Sequence, residues 1–358
     1  MLSQKMAHIS SLSTITSSEL SSFVKSKIEP DTAYIQRCNA VVDRLCQFMI
    51  NSLPPTLRPS EVRKCGSLGK GTAVIGKSDA DLVVFLAEFH SISTLRSEIK
   101  RILDEMQEYF VKFGGCKLEG KTWHAVKLLI TCNDHTHSVD ILPSVDILKL
   151  KTTKDIFKEM ESLSDCEKGY YSAALAPLQV EFVARAPTKV KTLSKLQELK
   201  QHLRRQNYPV ELINDGINRA MDIPLAQLRR TRLKEEKQDE KIPFENTSDQ
   251  RLPSSYSLEL IVIAVWETAG KPENFELCKG FYHVLRAIAY YRCLKHAWTL
   301  NYDSHYVQRD PFYVVDPANP FNNVLTACNC WDMIAAKAKS LLQARLFEEC
   351  VDGQCGWQ

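Results

Sequence analysis

The strongest constraint in this chain is a short apolar run, Leu82-Val83-Val84-Phe85-Leu86, headed by two acids, Asp79 and Asp81. A run of this length and composition reads as a buried strand. Side chains alternate across a strand, so residues two apart present both carboxylates to one face. Two carboxylates on one face repel each other unless a cation lies between them. Oxygen ligands of this kind suit Mg2+, which takes one or two carboxylates and completes its shell with phosphate and water. Asp140, in a second strand candidate at 137–142, is the third acid that such a site wants. The cofactor expected is a pair of Mg2+ ions, with Mn2+ as a substitute. Two ions about 3.5–4 Å apart stabilise both the attacking and the leaving oxygen of a displacement.

Upstream, Gly66, Gly69, Gly71 and Gly76 surround Ser67 and Lys70. Glycine lets a backbone approach a phosphate closely and turn its N–H groups inward. Ser67 supplies a hydroxyl donor and Lys70 a charge. Residues Gly71 to Ser78 also match the P-loop string GxxxxGK[ST]. A P-loop opens a helix. This string leads straight into Asp79 and an apolar strand, so it reads as a chance match.

Apolar residues fall at helical spacing from Asp31 to Ser52, with Asp31 placed to cap the start. A second amphipathic helix is predicted over 94–113, strands over 123–132 and 137–142, and helices over 191–206, 256–267, 274–297 and 331–349. Strands in succession suggest a mixed sheet rather than an alternating, doubly wound one. The first 30 residues hold nine serines and no apolar signal-like core, and read as a flexible or partly helical extension. The segment 206–253 is polar and charge-rich and reads as an exposed, partly helical insertion. The net charge of +3 marks no global nucleic-acid binder. Twelve scattered cysteines without a CxxC pair point to a reduced, intracellular protein. No apolar run is long enough to span a membrane.

Gly66-Ser67, eleven residues, then Asp79-Ala80-Asp81 resembles the signature of the polymerase-β-like nucleotidyltransferases. The resemblance narrows further. The glycine turn and the strand, Val139-Asp140-Ile141-Leu142-Pro143, Pro187-Thr188-Lys189-Val190-Lys191, Tyr256-Ser257-Leu258-Glu259-Leu260, Trp266-Glu267 and Val315-Asp316-Pro317-Ala318-Asn319-Pro320 are similar, in order, to motifs of the 2′-5′-oligoadenylate synthetases. They span about residues 31 to 345.

The resemblance implies an α+β, two-lobed nucleotidyltransferase fold, with a mixed β-sheet lobe carrying the aspartates and a helical lobe. The expected division is an extension at 1–30, a nucleotidyltransferase core at 31–190, and a helical lobe at 191–358 containing the insertion at about 206–253. The implied activity is template-independent joining of ATP, as donor and acceptor, into 2′-5′-linked oligoadenylates with release of pyrophosphate. Two rival readings stand beside it: a cyclic-dinucleotide synthase of the same superfamily, and a catalytically silent nucleic-acid sensor. Asp79, Asp81 and Asp140 would bind the metals, and Asp140 would help deprotonate the attacking hydroxyl. Gly66, Ser67, Lys70 and Lys195 would hold phosphates, and Tyr256 would stack on an adenine.

For double-stranded RNA, Ser60, Lys64, Thr188 and Lys189 are the retained candidates. Met49, Val180 and Ala184 stand where basic residues are expected, and Glu198 replaces one member of a basic pair. Duplex RNA is therefore expected as a weak or non-obligate activator, since each lost phosphate contact weakens binding. The segment 185–241, with 14 Lys and Arg against 8 Asp and Glu, is a candidate replacement contact. A cytoplasmic monomer is the expectation for location and assembly.

Overall fold

A computed structural model describes residues 15–75, 80–113, 116–132, 135–205, 251–308, 310–350 and 356–357, with the backbone alone at 132, 135 and 197–205. Asp79, Gly76 and most of the 206–253 insertion lie outside the described residues, as do the side chains of Glu198 and Lys200.

The first lobe is a five-stranded sheet. Its strands are β1 (Pro59–Cys65), β2 (Ala80–Leu86), β3 (Cys116–Lys121), β4 (Val126–Cys132) and β5 (His135–Ser144), in the order β1-β2-β5-β4-β3. β2 and β5 run parallel, and the other neighbours are antiparallel. This is the mixed sheet expected from the sequence. The two strands that carry the acids are the second and third in the sheet, so neither forms an edge. One face of them packs Leu82, Val84, Val139 and Ile141 into a large core with two helices, Thr32–Ser52 and Ile92–Phe110. The other face buries Val83 and Phe85 with Cys65, against Leu142, Ala173, Ala176 and Val180. The last three lie on the helix Tyr171–Ala184. Cover on both faces explains why the run 82–86 is apolar throughout instead of alternating.

Local signals in the sequence act as anticipated. The Asp31 side chain accepts a hydrogen bond from the Tyr34 N–H and caps the helix Thr32–Ser52. The string Gly71–Ser78 is followed by strand β2, not by a helix. The sequence did not announce β1, β3 or the small sheet of the second lobe, Lys295–His296, Tyr313–Asp316 and Asn319–Asn323. β1 and β3 are edge strands in which charged residues interrupt the apolar pattern. The helix expected over 274–297 ends at Ala289, because the chain turns into that small sheet.

The second lobe is built from the helices Thr188–Arg205, Ser255–Thr268, Leu277–Ala289 and Trp331–Leu341 around its own apolar core. The N-terminal helix Leu20–Lys27 joins that core through Leu20 and Val24, with Ile28 behind it. Among the described residues, no helix is long and apolar enough to cross a membrane.

Leu82, next to Asp81 in β2, is wholly buried in the core on the other face of the sheet. Leu82→Ala should lower unfolding free energy by about 2–5 kcal/mol, as large-to-small core substitutions do. Denaturant unfolding followed by circular dichroism measures it.

Candidate active site

The parallel pairing of β2 and β5 sets Asp81 directly opposite Asp140. Partners in register on adjacent strands share a face, so two hard oxygen donors stand side by side where the covered face of the sheet opens. Both residues are half-buried, whereas Ala80, Leu82, Val139 and Ile141 beside them are buried.

Two neighbours shape this pair. Gly66, immediately after β1, has φ +67°, and a Cβ there would come within 2.7 Å of Asp81 Oδ2. Glycine is therefore required twice, by the left-handed backbone and by the carboxylate pressed against it. Gly69, a turn later, lies equally close to the Lys64 carbonyl. On the other side, Lys127 of β4 is in register with Asp140, and its Nζ stands 3.2 Å from Asp140 Oδ2. Asp140 thus sits beside a cation within the protein itself. Beneath the pair, burial pushes the Cys65 thiol up to about 12, and the Asp81 charge adds to the effect, so Cys65 stays a neutral apolar neighbour.

The donor set fits a divalent cation. Mg2+ needs only one or two protein carboxylates when nucleotide phosphates complete its shell. Asp81 and Asp140 meet that need, although no group of three or more His, Cys, Asp or Glu converges among the described residues. Asp79, the third acid expected from sequence, lies outside them.

The other expected site residues divide into two groups. Ser67 and Lys70 lie in the short helix Gly66–Lys70 that leads away from Asp81. Ser67 is half-buried at the site. Lys70 is turned into the protein: its Nζ contacts Glu259 Oε2 at 2.6 Å and lies 4.9 Å from the Tyr256 ring centre. The Thr72 hydroxyl donates to the second oxygen of Glu259. Tyr256 is anchored as well, since its hydroxyl donates to Asp316 Oδ1 at 2.8 Å. Burial, reinforced by Asp316, holds that phenol well above its usual range. Asp316 is itself raised by burial and accepts three more hydrogen bonds, from Gln179, Asn322 and the Ala318 N–H. Lys195 is buried and reaches Glu29 Oε1 at 3.5 Å.

The residues expected to face RNA do not gather at this site. Lys64 pairs with Asp43 at 2.6 Å, and the Ser60 hydroxyl donates to the Phe85 carbonyl. Thr188 is exposed at a helix start, and the Lys189 ammonium donates to the Phe275 carbonyl. Met49 is fully buried in the core.

Sequence reasoning gave no role to Glu259, Asp316 or Lys127. A usable signal existed for the first: Glu259 is a lone charge within the apolar stretch Leu258–Val265, and a buried charge demands a partner. Glu259→Gln should therefore destabilise the protein by about 3–5 kcal/mol, because it leaves the Lys70 charge buried and uncompensated. The double variant Lys70→Met/Glu259→Leu should recover much of that loss, as measured by denaturant unfolding.

Comparison with known proteins agrees with this architecture. The profile for 2′-5′-oligoadenylate synthetase 1, domain 2, C-terminus, matches residues 237–357. Mouse 2′-5′-oligoadenylate synthase 2 is 26% identical over 364 residues, covering 92% of this chain and 43% of that protein. The chain thus spans less than half the length of that relative. The rat inactive 2′-5′-oligoadenylate synthase 1B is 29% identical, over 94% of this chain and 87% of that protein. Among solved structures, E. coli MS115-1 CdnC with ATP superposes with a TM-score of 0.55 at 17% identity, covering 91% of this chain and 89% of that one. Over most of its length the chain is thus similar in sequence to the 2′-5′-oligoadenylate synthetases, and it shares its fold with CdnC.

Proposed function

We propose that this protein transfers a nucleotidyl group from ATP to a hydroxyl of a second nucleotide and releases pyrophosphate. The observation that carries the proposal is the parallel register of Asp81 with Asp140, beside a glycine whose missing Cβ leaves room for the Asp81 carboxylate. An acceptor hydroxyl oxygen forms a bond to the α-phosphorus of ATP. The bond from that phosphorus to the β-bridging oxygen breaks, and the electron pair leaves with pyrophosphate. Asp140 would take the hydroxyl proton, and Gly66 and Ser67 would receive the donor phosphates. Asp81, Asp140 and, by its spacing, Asp79 would hold the divalent ions, which when bound neutralise charge on the attacking and leaving oxygens. Lys70 and Tyr256, engaged with Glu259 and Asp316, set the position of the glycine helix and of the second lobe.

Two products are compatible with this chemistry. Linear 2′-5′-oligoadenylate is supported by the motif order and by the similarity to synthases. A cyclic dinucleotide is supported at least as well, by the fold shared with CdnC, a structure solved with ATP. Inactive relatives among the matches keep a silent sensor as the outcome to be tested against. Duplex RNA is proposed only as a weak, non-obligate activator, since both lysines retained for it already hold partners within the protein.

Asp81→Asn and Asp140→Asn should each reduce pyrophosphate release from ATP to below about a tenth of wild type while leaving the unfolding midpoint nearly unchanged. Larger residual turnover would show that the pair is not the catalytic centre. Digestion of the wild-type product with nucleases specific for 3′-5′ bonds, and with phosphatase, separates the two products. A linear 2′-5′ chain resists the former and loses only terminal phosphates to the latter, whereas a cyclic product has no terminal phosphate to lose.

A further inference from the structure

The turn between β3 and β4 carries Thr122, Trp123, His124 and Ala125, closed by a hydrogen bond from the Thr122 N–H to the Ala125 carbonyl at 2.8 Å. Trp123 is 56% exposed, unusual for so large an apolar side chain. It is nevertheless held in place. Its ring meets Tyr170 edge-on at 5.0 Å and His124 at 4.2 Å, and it lies over Gly169, where a Cβ would stand 3.6 Å from the indole. An exposed indole supported from behind by a glycine and a second aromatic ring is a rigid surface with room for a flat ligand.

Its position relative to the acids is fixed by the sheet. The glycine turn follows β1, on one flank of the Asp81–Asp140 pair, and the Trp123 turn leads into β4, on the opposite flank. Lys127, which contacts Asp140, is the second residue of β4, four positions after Trp123. In phosphoryl transfer the attacking and leaving oxygens lie roughly in line. A donor whose triphosphate lies by the glycine turn must therefore be attacked from the other flank.

We propose that Trp123, supported by Gly169 and Tyr170, is the stacking platform for the nucleobase of the acceptor, the nucleotide that supplies the attacking hydroxyl. This inference rests on the nucleotidyl-transfer function proposed above. A base stacks on an aromatic ring whatever its identity, so the platform positions the acceptor without selecting its sequence.

The test separates the two nucleotides chemically. 2′,3′-Dideoxy-ATP has no hydroxyl with which to attack and serves only as donor; AMP has no pyrophosphate to lose and serves only as acceptor. Trp123→Leu should raise the KM for AMP about tenfold, the size of one lost base–aromatic stack, with donor KM and kcat within about twofold of wild type. Trp123→Phe should restore most of the AMP affinity. In parallel, titration with AMP should quench part of the tryptophan emission of the wild type, and Trp123→Phe should lack that part. Unchanged AMP KM and unchanged quenching in the variants would overturn the proposal. If the wild type transfers nothing at all, the nucleotidyl-transfer function fails on its own account. The AMP titration then still decides the platform: equal curves for wild type and Trp123→Phe reject it.

Discussion

The arrangement of this protein depends on a pair of opposite charges that have almost no access to water. Lys70 belongs to the short helix that follows β1, and Glu259 to a helix of the second lobe. Their side chains are 8% and 1% exposed and meet at 2.6 Å. Removing such charges from water costs several kcal/mol for each ion, and the cost is offset only where geometry is good and other donors complete the shell. Here Thr72 supplies one such donor, and the Tyr256 ring faces the ammonium. Across the Tyr256 ring the pattern repeats at Asp316, which accepts four hydrogen bonds while fully buried and draws on the helix Tyr171–Ala184 through Gln179. These contacts are directional, unlike apolar packing. They hold the two lobes in one relative position, and with them the glycine turn beside Asp81.

The sheet meets the joint from the other side. Because β2 and β5 are interior and parallel, their apolar residues are covered on both faces, and the backbone holding Asp81 and Asp140 has little freedom to shift. The acids occur where the apolar pattern of each strand breaks. A carboxylate at such a place is costly unless it gains a cation, and in this structure Lys127 stands at Asp140. The same feature that makes the strands stable therefore makes the position of the carboxylates precise, which two-metal chemistry requires.

Much of this was legible in the sequence. The run 82–86, the acids at its head and the strand around Asp140 were readable because a strand buried on both faces has an unmistakable composition. The glycine turn was readable because Gly66 meets two demands at once. The edge strands β1 and β3 were not, since charged residues such as Glu61, Arg63 and Lys64 break the apolar pattern there. The lodging of Lys70 against Glu259 was also hidden: their partnership crosses 189 positions of chain, and nothing local distinguishes a lysine that faces phosphate from one that faces a buried carboxylate. Met49 shows the same limit from the opposite direction. The resemblance expects a basic residue there, but the side chain belongs to the apolar face of its helix and lies wholly in the core.

The central claim is that the paired aspartates join nucleotides through the α-phosphate of ATP. The most direct measurement is to supply ATP labelled at that phosphate, with Mg2+, and follow the label and the pyrophosphate together. The account predicts one pyrophosphate for each new bond and label that becomes resistant to phosphatase, because it is now held between two nucleosides. Release of inorganic phosphate with label left in ADP, or no turnover of ATP with or without duplex RNA, would contradict it.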